Sequence, residues 1–130
     1  MSRENVEVVR AVFQAWNEGD MAALAEHYHP HTVTWSPEDW PEPGPFCGRD
    51  AVMRQFRELK ATFELEALEI TSISDAGDRV VVRWIWRGSG RGPELQQEMA
   101  SIYTVRDGKI LATEFLWDHA EALEAVGLRE

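Results

Sequence analysis

Three kinds of side chain in this 130-residue chain could do chemistry: carboxylates near strand ends, a run of histidines, and an excess of tryptophan. A carboxyl held in an apolar cavity keeps its proton to higher pH, because desolvation disfavours the charged form, and can then act as a general acid or base. Glu98 lies inside a strand-like run. Strand alternation and simple hairpin pairing would set it beside Trp84 or Trp86, although Gln96-Gln97 before it also fits an exposed strand. Asp118 follows the last such run; with Glu121 three residues later it also makes a capping box, the simpler role for it. His27, His29 and His31 alternate, and in an extended segment three imidazoles would share one face, as a zinc site needs. Pro30 interrupts that run and no cysteine is near, so no metal site is expected. His27, or Tyr28 beside it, is instead read as a single acid/base or hydrogen-bond donor near a cavity mouth.

Trp16, Trp35, Trp40, Trp84, Trp86 and Trp117 come from different elements and could converge only at a shared interior. Each offers a large apolar face and an N–H that must find a partner when buried, which suits a pocket for a flat ligand. Two of them at alternate strand positions, 84 and 86, are bulky for a close-packed helix–sheet contact. Tyr28, Phe46, Val82 and Phe115 join them as expected pocket residues. The glycine-rich stretch Gly88-Ser89-Gly90-Arg91-Gly92 lies between strands with no helix after it, so it is a hairpin end rather than a phosphate cradle. Cys47 sits in a proline-rich loop with no activating neighbour in sequence, a poor nucleophile.

Helical spacing of Val6, Val9, Val12, Phe13 and Trp16 predicts a first helix stopped at Asn17–Asp20, and Asp20 caps a second over Met21–His27. Pro30 ends that helix, and Thr32–Trp35 reads as a short strand. Residues 36–48 hold four prolines and two glycines, a loop too long for a mere connection. Its Trp40 and Phe46 make it a folded flap over the cavity mouth. A third helix spans Asp50–Lys60. Phe63–Ser74, Arg79–Arg87, Glu94–Val105 and Lys109–Trp117 then form an antiparallel meander, with Asp107-Gly108 as its clearest tight turn. A last helix covers Ala120–Val126. On Arg79–Arg87 the all-apolar set Val80, Val82, Trp84 and Trp86 should face the helices. The pairing above puts Glu98, Ala100, Ile102 and Thr104 on that same side. The opposite side is apolar too, which predicts a homodimer through the sheet.

Thirteen basic against 23 acidic residues give a net charge of −10, which argues against nucleic-acid and membrane-surface roles. One cysteine fits a reducing compartment, and the charged residues among the first fifteen do not fit a signal peptide, so a cytoplasmic location is expected. The chain reads as a single α+β domain over 1–130.

The order of elements, the loop Trp40-Pro41-Glu42-Pro43-Gly44 and the ending Asp118-His119-Ala120-Glu121-Ala122-Leu123 resemble the nuclear transport factor 2-like superfamily, in its SnoaL-like polyketide cyclase branch. The resemblance implies a cone: a curved, mostly antiparallel sheet wrapped around the N-terminal helices, with an apolar pocket at its open end. It implies a small hydrophobic ligand, aromatic or polycyclic, and no cofactor. It also implies cyclisation or isomerisation by general acid/base proton transfer next to a carbonyl, for which Glu98, Asp118 and His27 are the candidates. The competing reading is a non-catalytic ligand-binding or protein-interaction domain.

Overall fold

An apolar stripe carries the first helix onto the sheet. Helix α1 (Ser2–Glu18) buries Val9, Val12, Phe13 and Trp16, the residues at helical spacing, and Gly19 closes it in the left-handed conformation. Asp20 caps α2 (Met21–Glu26) by accepting from the Ala23 N–H at 3.0 Å. The computed structural model describes residues 2–42, 44–61, 65–89 and 94–128. Pro43, the expected strand start at 62–64, and 90–93 of the glycine-rich hairpin end therefore lie outside the described residues.

Strand β1 (Tyr28–Trp35) begins at Tyr28 rather than Thr32. Pro30 lies inside it because the register towards the neighbouring strand shifts between Tyr28 and Val33, where no ladder donor is required of it. The proline-rich segment is not loop throughout. Its end forms β2 (Phe46–Cys47), paired antiparallel with β1. Gly44 permits that return: its φ is +95°, and a Cβ there would stand 2.9 Å from the Thr34 carbonyl oxygen. Helix α3 (Arg49–Ala61) follows and buries Val52, Met53 and Phe56.

Strands β3 (Leu65–Ala76), β4 (Arg79–Ser89), β5 (Leu95–Arg106) and β6 (Lys109–Leu116) form the expected meander, and helix α4 (His119–Ala125) ends the fold. Strand β6 then pairs in parallel with β1, giving a six-stranded sheet in the order β2-β1-β6-β5-β4-β3. The architecture is mixed α+β, with four helices and a curled, unclosed sheet. The Asn17 side chain joins helix to sheet edge, donating to the Leu68 carbonyl at 2.9 Å and accepting from its N–H at 2.8 Å.

Val80, Val82, Trp84 and Trp86 do face the helices, in one cluster with Val9, Val12, Phe13, Trp16, Val52 and Phe56. The expected face of β5 is inverted. Trp84 pairs with Met99, Val82 with Ser101 and Val80 with Tyr103, so the inner set is Gln97, Met99, Ser101 and Tyr103. Both candidate faces of β5 mix apolar and polar residues, so hydrophobic alternation could not select the register.

On the outer face Val81, Ala100 and Ile102 are buried under Ala122 and Leu123 of α4. Part of the apolar surface from which a homodimer was inferred is thus covered within the chain. Among the described residues no helix is long and apolar enough to cross a membrane.

Candidate functional site

Helices α1 and α3 do not close completely on the inner face of the sheet, because the indoles of Trp84 and Trp86 hold them apart. The remaining cavity, about 80 Å³, is walled by Val12, Phe13 and Trp16 of α1, Leu24 of α2, and Gln55, Phe56 and Leu59 of α3. The sheet contributes Tyr28, Thr34, Leu68, Trp84, Trp86, Met99, Tyr103 and Phe115, and the flap contributes Ser36, Pro37 and Trp40. The aromatic rings meet edge to face: Phe13 on Trp84 at 5.8 Å, Trp16 on Phe56 at 5.7 Å and Trp84 on Phe115 at 6.2 Å between centroids. Lys60 fixes Trp16 from outside, its ammonium 5.0 Å from the ring centroid and donating to the Trp16 carbonyl at 2.6 Å.

Polar groups in this wall are few. Trp84 Nε1–H donates to Ser101 Oγ at 2.8 Å, and Ser101 is hydrogen-bonded in turn to the Tyr103 phenol. Burial pushes the Tyr103 pKa far up, against a smaller lowering by Ser101. Tyr28 is raised as well, by burial first and by the neighbouring Tyr103 second. Both phenols therefore stay protonated, as hydrogen-bond donors, across the physiological range.

Of the residues expected to line a pocket, Trp16, Tyr28, Trp40, Trp84, Trp86 and Phe115 do so. Val82 is fully buried in the core without reaching the cavity. Phe46 is half-buried and packs on the core from β2, beside the flap rather than over the opening. Trp35 points to the outer side, 40% exposed, and Trp117 is 38% exposed. Trp117 nevertheless touches the flap: its Nε1–H donates to Asp39 at 2.6 Å, and its ring lies 6.0 Å from that of Trp40.

The three candidate acid/base residues are elsewhere. Inversion of the β5 face takes Glu98 to the outer side, where it pairs with Arg83 and is half exposed. Asp118 caps α4, accepting from the Ala120 N–H at 2.9 Å. His27 ends α2 beside Lys109 and α1, its pKa lowered by desolvation first and by the Lys109 charge second. The rings of His29 and His31 lie 5.5 Å apart on β1, but His29 Nδ1 accepts from the His31 backbone N–H. Sequence reasoning missed Thr34, Met99 and Tyr103 as cavity residues, and only the true register of β1 and β5 could have found them.

The SnoaL-like domain profile matches residues 9–113. No curated protein matches. Among solved structures, Bal32a from a soil-derived mobile gene cassette superposes with a TM-score of 0.81 at 21% identity, covering 91% of this chain and 92% of that one. TerC, co-crystallised with polyporic acid, gives 0.78 at 22% identity over 95% and 98% of the two chains. IdmH of Streptomyces antibioticus, a proposed polyketide cyclase, gives 0.73 at 23% identity over 95% and 98%. At these identities the likeness is one of fold, the ketosteroid isomerase-like and nuclear transport factor 2-like arrangement.

Proposed function

The chain belongs to the SnoaL-like domain family, and from that premise we propose that it binds a small, neutral, ring-bearing molecule in the cavity between α1, α3 and the sheet. The carrying observation is the composition of the cavity wall. Its described residues are aromatic, aliphatic or uncharged polar, and none is charged. Such a wall favours burial of apolar area and offers nothing to an ionised ligand. Proton transfer next to a carbonyl, the activity implied by the resemblance to polyketide cyclases, needs a base at the substrate. Glu98, Asp118 and His27 all lie outside the wall, so ligand binding is the better supported reading.

Size says how the ligand gets in. At about 80 Å³ the cavity is smaller than the roughly 150 Å³ that holds a benzene molecule, so an aromatic guest requires part of the wall to move. Trp40 is the movable part, a half-buried side chain on a segment held to β6 by the contacts of Asp39 and Trp40 with Trp117. An indole buried against a ligand contributes about 2 kcal/mol, a roughly thirtyfold effect on affinity. Trp40→Ala is therefore expected to weaken, by about that factor, the tightest binder from a screen of neutral aromatic compounds, with the melting temperature nearly unchanged. Loss of the fold with unaltered affinity per folded molecule would make Trp40 core packing instead.

We also take the protein to be a homodimer through the part of the outer sheet face that α4 leaves open, where Trp35 stands exposed. Sedimentation at micromolar concentration is expected to show a species of twice the 14.9 kDa chain mass; the single-chain mass alone would remove this assignment.

A further inference from the structure

Thr34, Thr113 and Tyr103 stand side by side on the inner face of the sheet, at register-paired positions of β1, β6 and β5. None is more than 2% exposed. Thr34 Oγ1 and Thr113 Oγ1 have no hydrogen-bond partner, and Thr34 and Tyr103 are part of the cavity wall. A buried hydroxyl left unpaired is unfavourable, and a valine would fill nearly the same volume without that cost. Two adjacent unpaired threonines in an otherwise apolar layer therefore call for an occupant that answers them.

The third member of the row is arranged to donate. Ser101 Oγ accepts from Trp84 Nε1–H, which leaves the serine proton for the Tyr103 oxygen. The phenol proton of Tyr103 is then free for whatever fills the cavity, and each link in such a chain strengthens the next. With no charged side chain in the described wall, these donors match an uncharged oxygen.

We propose that this hydroxyl row is the polar end of the binding site, and that Thr34, with Tyr103 beside it, donates to a ketone- or quinone-type oxygen of the ligand while the tryptophan-lined remainder holds its ring. The proposal rests on the binding reading above and adds to it the chemical class of ligand.

The test uses two probes with one ring system, the ketone α-tetralone and the hydrocarbon tetralin, titrated against the whole protein by tryptophan fluorescence. The native protein is expected to prefer the ketone by about tenfold or more. Thr34→Val is expected to abolish that preference while tetralin still binds, and Thr34→Ser, which restores the hydroxyl, to recover it. Should both probes bind the native protein equally, or should Thr34→Val keep the preference, the row is filled by ordered water and the proposal is wrong. Binding of neither probe up to its solubility overturns the cavity reading itself, and the proposal with it.

Discussion

Raising the pH above 10 is expected to unfold this protein steeply. The chain has two tyrosines, and both Tyr28 and Tyr103 are buried in the cavity wall. Their folded pKa values are raised above the ordinary value of 10.0, by desolvation in each case. A group raised in the folded state contributes stability that is complete below its unfolded pKa and declines as the pH climbs towards the folded one. Each phenol that ionises only on unfolding costs roughly 1.4 kcal/mol per pH unit above 10. For the pair that is about 5 kcal/mol by about pH 12, comparable to the whole stability of many domains of this size. Tyrosinate absorbance, which here reports the two cavity residues alone, is expected to appear together with the loss of native tryptophan emission. Tyr103→Phe should halve the steepness. Tyrosinate absorbance rising near pH 10 while the fold persists would mean that water reaches the phenols, and the donor role assigned to Tyr103 would go with it.

Trp84→Ala is expected to destabilise the protein by about 3–5 kcal/mol, the range for removing a large buried aromatic. Trp84 is 5% exposed and meets Phe13 and Phe115 edge to face. Its loss also leaves the buried Ser101 hydroxyl without the indole donor. The two effects act together, because the same ring that props the helices off the sheet anchors the hydrogen-bond chain to Tyr103. Urea unfolding with an unchanged slope and a much lower midpoint would show this. A loss below about 1 kcal/mol would mean that the helices settle into the vacated volume and that Trp84 is not the prop.

The chain by itself determined the elements and most of the inner surface. The helical stripe Val9, Val12, Phe13 and Trp16 and the strand set Val80, Val82, Trp84 and Trp86 each have one apolar face and a period that fits one kind of element, so both were legible before any packing was known. Asp118 as the cap of α4 and Asp107-Gly108 as a turn were legible for the same local reason: the chemistry is complete within a few residues. Tertiary structure alone decided which side of β5 looks inward. Glu98, Ala100 and Ile102 alternate as plausibly as Met99, Ser101 and Tyr103, and a one-residue change of register exchanges the two sets. That single exchange carried Glu98 out to Arg83 and brought Tyr103 into the cavity. Likewise Thr34 became a wall residue only through the parallel pairing of β1 with β6, strands far apart in the chain whose meeting no local pattern announces. The polar end of this site is built from such long-range neighbours, and for that reason only the folded sheet discloses it.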